Sequence, residues 1–343
     1  MLPSLKSAGR HVLARLHDRS ARVLTRLRGR VLILGYHRVL PESERRRQFV
    51  QPGMYVRPHV LDAHVRFLRR HFRLISFADF LGLQQAGAWD PDARYCLITF
   101  DDGWLDNYVY AYPILRRYDA PATIFVSTAL IGSEEWMWPD KLGWLLTRSG
   151  PDGAAPARDR LRPLVTRYPW MARLPRVATP AQIDSIIESC KRLSERAIAE
   201  LLLELTSRLG VELPKQRVFL QWADIEEMSS GGIAFGSHGA THRLLPGLGR
   251  PELRTEVAGS SETLRQRAGV NHVPVFCYPN GDYDDAVADH VRTSGYRAAV
   301  STDSGTEVWD RLDLFRLRRV GLHDDVSATI PLLAFHLSRM GRR

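Results

Sequence analysis

The feature that most limits what this chain can fold into is a series of short, unbroken apolar runs, each ending in a polar or ring-bearing residue. VLILGYH (31–37), RYCLITF (94–100), PATIFVS (121–127), GIAFGSH (232–238), VPVFCYP (273–279) and RAAVST (297–302) are of this kind. Runs without polar alternation read as strands buried on both faces, and a parallel sheet flanked by helices buries them in that way. The intervening segments supply the helices. PHVLDAHVRFLRRHF (58–72) repeats Val60, Leu61, His64, Phe67 and Leu68 at helical spacing, and Ala78–Gln85, 104–118, 251–268 and 284–294 read similarly. Short strands are also expected at RLISF (73–77) and RVFL (217–220). The alternation predicts an α/β fold with a parallel sheet, and 343 residues is a length at which α/β barrels occur as single domains.

Residues 133–215 break the rhythm. WMWPDKLGWLL (136–146), a Pro/Arg-rich stretch and a long helical pattern from Ala181 to Leu209 predict a helical insertion, or lid, within a main domain spanning 31–330. A tail is expected at 331–343. Ahead of the domain, residues 1–30 carry Lys6, Arg10, Arg15, Arg19, Arg22, Arg26, Arg28 and Arg30 against Asp18 alone, so most of the net charge of +10 belongs to this leader. Leu13, Leu16, Leu24 and Leu27, with Val12, Val23 and Val31, recur at three- and four-residue intervals. The segment therefore reads as a basic amphipathic helix. Such a helix suits an anionic membrane surface, at about 1 kcal/mol per basic residue, or packing against its own domain. Arg10, Arg15 and Arg19 interrupt the apolar run a secretory signal needs, so the expected location is cytoplasmic. No apolar stretch reaches transmembrane length. Cys96, Cys190 and Cys277 lie too far apart for a metal-spaced pair and are expected as buried thiols.

Chemistry concentrates at two strand ends. Asp101 and Asp102, followed by Gly103, close the run RYCLITF. Adjacent carboxylates at the end of a buried strand are costly unless a cation compensates them, and that end is where α/β folds place their sites. The alternative is a helix cap by Asp102. The run GIAFGSH opens into Ser237-His238-Gly239-Ala240-Thr241-His242. Two histidines four apart face the same way if the segment turns helically, whereas a lone histidine would be structural. One carboxylate and two imidazoles form a three-ligand set with open positions, and the second carboxylate stays free as a general base.

TFDDG (99–103), SHGATH (237–242) and FCYPNG (276–281), in this order, resemble the polysaccharide deacetylases of the NodB-homology group, carbohydrate esterase family 4. The resemblance runs from GYHRV (35–39) to LRRV (317–320), omitting the insertion. It implies a distorted (β/α) barrel of about seven strands. It also implies Asp101 as catalytic base, with Asp102, His238 and His242 as metal ligands. The loop Tyr278-Pro279-Asn280-Gly281 matches the loop that gives a backbone amide to the oxyanion, which makes Asn280 the expected donor. Zn2+ is the expected metal from the donor set, while Co2+, Ni2+, Mn2+ and Fe2+ accept similar ligands. Two features depart from the common pattern. Cys277 and Tyr278 stand where many relatives carry arginine, and the usual C-terminal Leu-x-His is replaced by GLHDD (321–325), which offers His323. A subgroup carries a Tyr-His pair after its first strand. Tyr36-His37 matches it, making His37 the expected acid, and Arg319 matches an arginine expected to orient Asp101.

For the sugar itself, Trp104, Trp222 and Tyr278 are the expected contacts, with Trp136 and Trp138 lining an acceptor groove; packing is the alternative for each tryptophan. The expected function is removal of an N-acetyl group from an amino sugar in a polysaccharide, oligosaccharide or lipid-linked saccharide, in envelope or exopolysaccharide biosynthesis. Residues 1–30 would give peripheral contact with the inner membrane. Hydrolysis of another non-peptide C–N bond and a catalytically silent glycan-binding scaffold are the competing readings. Nucleic-acid binding ranks last and is not expected, because the basic leader lacks interleaved aromatics or any base-reading motif.

Overall fold

A computed structural model of the chain describes residues 24–147, 161–173 and 178–340. These fall into two compact units, one formed by the described residues of 24–40, 55–133 and 219–340, the other by those of 41–54 and 134–218.

In the first unit seven strands close a parallel barrel: β1 (Arg30–Tyr36), β2 (Tyr95–Phe100), β3 (Ala122–Val126), β4 (Ala234–Ser237), β5 (His272–Cys277), β6 (Ala298–Ser304) and β7 (Leu317–Gly321). Each pairs with the next in chain order, and β1 joins both β2, from Val31↔Tyr95 to Tyr36↔Phe100, and β7, at Leu34↔Val320. Two edge pieces flank the barrel: Arg73–Leu74 beside β2 and the antiparallel Glu307–Val308 beside β1. The expected strand at 217–220 is instead a single bridge, Trp104↔Phe219.

Alternation along each strand assigns its side chains. Val31, Ile33, Tyr95, Leu97, Phe125, Val273, Val275, Ala298, Val300 and Leu317 fill the interior, joined by Phe77, Phe80 and Leu81 from the helix Phe77–Ala86. That helix starts where Ser76 caps Asp79 and ends at Gly87, φ +62°. Leu32, Leu34, Tyr36, Cys96, Ile98 and Phe100 face outward, under the apolar stripe Val60, Leu61, Val65 and Leu68 of the helix Pro58–His71. Leu24 and Leu27 are buried in this same outer layer. The end of the leader stripe thus belongs to the domain core; residues 1–23 lie outside the described residues. Likewise the expected tail forms a helix, Ile330–Ser338, with Leu332, Leu333 and Leu337 buried. All three cysteines are free and buried. No described helix is long and apolar enough to cross a membrane.

The second unit is helical and includes Pro41–Met54, which the sequence rhythm did not assign to it. Its long pattern breaks into Pro180–Cys190 and Glu195–Leu209, each opened by a hydroxyl cap, Thr179 and Ser194. Ile198, Leu201, Leu202, Leu205 and Leu209 form the buried stripe of the second. Phe49 lies so close to Gly143 that a Cβ there would meet its ring at 1.9 Å. Trp136 is buried, donates from Nε1 to Gln216 O (3.1 Å) and packs edge-on against Trp144, while Trp138 packs on the same core. Trp136 is therefore buried within this unit rather than lining a groove, and Trp138 is half-buried against its core.

Candidate active site

Inside the barrel the apolar filling gives way to polar side chains toward the carboxyl ends of the strands. Continuing inward from Tyr95 and Leu97 come Thr99 and then Asp101, whose amide still pairs with Tyr36 O at 2.9 Å. From β7, Arg319 reaches across the interior and grips Asp101 with both guanidinium arms, Nη1 to Oδ1 and Nη2 to Oδ2, each at 2.7 Å. Its Nε donates to Ser301 O at 2.9 Å, and it also meets Thr99 Oγ1 (3.1 Å) and Cys277 Sγ (3.2 Å). Burial would raise the Asp101 pKa, but the charge and hydrogen bonds of Arg319 hold the carboxyl below its ordinary range.

Asp102 leaves the strand direction abruptly. Its φ is +72° and that of Gly103 is +76°, left-handed values that Asp tolerates better than most residues and that Gly adopts freely. A Cβ on Gly103 would lie 2.8 Å from Val126 Cγ1, so the turn also needs the missing side chain. The turn aims Asp102 Oδ2 at Trp104 Nε1 (2.9 Å) rather than at helix amides, so the capping alternative does not describe it. Its Oδ1 lies 3.4 Å from His238 Nε2 and 3.3 Å from His242 Nε2. Although burial opposes it, the hydrogen bond from His238 and the neighbouring imidazoles push the Asp102 carboxyl far below its ordinary range.

The histidines meet through a non-helical loop, not through a helical turn. Gly239 and His242 have φ of +81° and +63°. Glu256, buried, holds the loop: Oε2 accepts from the amides of Ala240 and Thr241 at 2.9 Å each, and Oε1 from Thr241 Oγ1 at 2.5 Å. His238 Nδ1 donates to Cys277 O (2.7 Å), which turns Nε2 toward Asp102. Burial lowers His242 to about 4, favouring the neutral imidazole that a metal requires. Burial also works against a charged His238, but its contacts with Cys277 and Asp102 raise it above the usual imidazole range.

These donors fit a divalent cation. Ligand bonds of about 2.0–2.1 Å around a tetrahedral Zn2+ place neighbouring donor atoms about 3.4 Å apart. The two Asp102–histidine separations, 3.4 and 3.3 Å, have this size. Asp101, His238 and Cys277 also lie within reach of one another, but both oxygens of Asp101 already serve Arg319.

The remaining expected residues divide. His37 Nε2 lies 3.7 Å from Asp101 Oδ2, at the rim of the same cluster. Asn280 occupies the tight turn Pro279–Gly281 directly after β5, with φ +59°. Tyr278 does not join them. Since Cys277 points inward to Arg319, alternation sends Tyr278 outward, where it is fully buried, donates to Phe315 O (2.9 Å) and stacks on Tyr283. Trp222 packs on the outer-layer core with the Arg267 guanidinium 4.9 Å from its ring centre. Trp104 is buried against Phe219 and Arg38, which takes its ring away from a sugar platform. His323 heads the short helix Asp324–Ser327, with Asp325 Oδ2 3.3 Å from its Nδ1. Two carboxylates went unnoticed in the sequence. Asp106 secures the loop after β1 by accepting from Val39 N (2.7 Å) and Arg38 Nε (2.9 Å), and Glu256 secures the histidine loop. For Glu256 a signal existed, because Leu253, Glu256, Val257, Ser260 and Leu264 share one buried helical face, where an acid is out of place.

Comparison with known proteins agrees with this architecture. The polysaccharide deacetylase family model matches residues 89–299. The poly-β-1,6-N-acetyl-D-glucosamine N-deacetylase of Staphylococcus aureus (strain MSSA476) is 28% identical over 151 residues, 40% of this chain and 49% of that protein. The chain spans less than half the length of the first curated relatives it matches. Among solved structures, the Streptococcus pyogenes deacetylase PplD in complex with acetate superposes with a TM-score of 0.57 at 18% identity, covering 92% of this chain and 99% of that one. IcaB from Ammonifex degensii gives 0.56 at 19% identity, covering 90% and 97%. A family match across most of the barrel, on a site assembled at the strand ends as described, identifies the chain: it belongs to the polysaccharide deacetylase family.

Proposed function

We propose that this chain is a metal-dependent N-deacetylase that releases acetate from an N-acetylated amino sugar within a glycan. The observation that carries the reading is Asp102 Oδ1 standing 3.4 and 3.3 Å from two imidazole Nε2 atoms, beside a second, arginine-held carboxylate. Asp102, His238 and His242 would hold the cation, Zn2+ by preference. When bound, it supplies Lewis acidity to the acetyl carbonyl and the attacking water.

The protein's own groups do the rest. Asp101, kept ionised by Arg319, takes a proton from the water as its oxygen adds to the acetyl carbon. The Asn280 amide, in the turn after β5, stabilises the resulting oxyanion, a contribution of about 3–4 kcal/mol for a well-placed donor. His37, at the rim beside Asp101, gives a proton to the nitrogen as the C–N bond breaks, leaving acetate and a free amine. The glycan assignment, and a role in envelope or exopolysaccharide synthesis, draw support from the staphylococcal relative's activity on poly-β-1,6-N-acetyl-D-glucosamine. Acetate release from N-acetylated oligosaccharides, assayed with added Zn2+ and again after chelation, tests the reading. Release that ceases on chelation and returns with metal supports it, whereas release indifferent to chelation overturns it.

A further inference from the structure

The metal-ligand aspartate and the loop bearing His37 share one buried network. Residues 37–39 follow β1 and are held three times over by residues just past the aspartate pair. Asn107 Nδ2 donates to His37 O (2.8 Å), Val39 N donates to Asp106 Oδ1 (2.7 Å), and Arg38 Nε donates to Asp106 Oδ2 (2.9 Å). Arg38, Asp106 and Asn107 are all buried. The Arg38 guanidinium carbon then lies 4.2 Å from the centre of the Trp104 ring, which Phe219 backs at 4.6 Å. Trp104 completes the path by donating Nε1–H to Asp102 Oδ2 at 2.9 Å.

We infer that Asp106, acting through Arg38 and Trp104, is a positioning residue that aims Asp102 Oδ1 at the metal and keeps His37 in register with it; this rests on the proposed metal site. The indole bond occupies one carboxylate oxygen and leaves the other for coordination, which fixes the carboxylate plane. An Arg stacked on an indole and locked by a buried carboxylate cannot drift, so the donor is held on a rigid support. Asp106 anchors Val39 N on one side of Arg38, and Asn107, whose Nδ2 also donates to Asp106 Oδ1 at 3.3 Å, holds His37 O on the other, so the orientation of the ligand and the placement of the acid depend on one network centred on Asp106.

The test compares wild type, Trp104→Phe and Asp106→Asn by Zn2+ titration of the metal-stripped protein in competition with a chelator, alongside kcat and KM on an N-acetylated oligosaccharide. Trp104→Phe keeps the ring stack and removes one N–H, and it is expected to weaken Zn2+ binding about tenfold with an unchanged melting temperature. Asp106→Asn is expected to weaken binding and to lower kcat while KM stays as in wild type. Wild-type Zn2+ affinity in both folded variants overturns the inference and leaves the proposed function standing. A melting temperature lowered with Zn2+ affinity intact gives the network a structural role alone and overturns it too. A wild-type protein that binds no Zn2+ overturns the metal reading and, with it, the relay.

Discussion

Arg319 and Asp101 face each other across the barrel interior as a two-pronged pair, both contacts 2.7 Å and both side chains almost fully buried. Such a pair contributes little net stability, because desolvation offsets most of the attraction, but breaking it leaves a charge in the core. In the proposed mechanism its value is chemical. A general base works while ionised, and a buried carboxylate without a counter-charge would hold its proton.

Replacing Arg319 therefore acts on activity and stability together. Arg319→Met should destabilise the fold by about 3–5 kcal/mol. With the largest counter-charge gone, burial raises the Asp101 pKa, so the acid limb of kcat/KM moves to higher pH. Arg319→Lys keeps the charge without the fork and should lie between the two. Denaturation and pH–rate profiles read both effects, and an acid limb that stays put in Arg319→Met would separate Asp101 from the base role.

Glu256 gives a second prediction. Its carboxylate accepts from Ala240 N, Thr241 N and Thr241 Oγ1. Glu256→Ala removes the shared acceptor of these part-buried donors, at about 0.5–1.5 kcal/mol per lost hydrogen bond. The loop that brings His238 and His242 together loses its support, and Zn2+ affinity should fall roughly 10–100-fold. Competition titration against a chelator measures this. Unaltered affinity would mean that the left-handed residues Gly239 and His242 hold the loop unaided.

Such buried acceptors explain how unevenly the site could be read from sequence. Asp101, Asp102, His238 and His242 sit in two short motifs at the ends of apolar runs, so local pattern was enough to single them out. The geometry joining them was not local. The histidine pair reads as a helical turn until Glu256, on a separate helix, is seen to pull the loop into left-handed conformations. Arg319 and His37 come from opposite ends of the chain, and the sequence alone gave no measure of their distance from Asp101. Tyr278 misled because an aromatic beside a catalytic loop suggests a sugar contact, although alternation from inward Cys277 already points it outward. The barrel strands were legible because they are unbroken apolar runs. RVFL (217–220) has the same look, yet its last two residues, Phe219 and Leu220, serve as a brace for the Asp-Asp-Gly turn, with Leu220 N donating to Gly103 O at 2.8 Å.

The outer layer carries a titration of its own. Tyr36 Oη donates to His64 Nδ1 (3.1 Å), and His64 Nε2 donates to Ser327 O (2.7 Å), an arrangement of the neutral ring. Burial brings His64 down to about 4 from an ordinary value of 6.5. Well above pH 6.5 neither folded nor unfolded ring is charged, and the contribution to stability is complete. As pH falls from there, the unfolded chain takes up the proton first, so stability declines until the folded ring also titrates. Between pH 7.5 and pH 5 this group should account for roughly 2 kcal/mol of lost stability. His64→Gln should be less stable at pH 7.5 and show a flatter dependence on pH, as followed by urea unfolding. An unchanged slope would remove His64 from the account.

The most direct test of the central claim, that one carboxylate of the pair binds metal while its neighbour serves as base, compares bound Zn2+ and acetate release in Asp101→Asn and His238→Ala. The account predicts that Asp101→Asn retains one Zn2+ per chain while turnover falls by about 10²–10⁴-fold, and that His238→Ala loses both metal and turnover. Equal loss of Zn2+ in the two variants, or full turnover in Asp101→Asn, would contradict it.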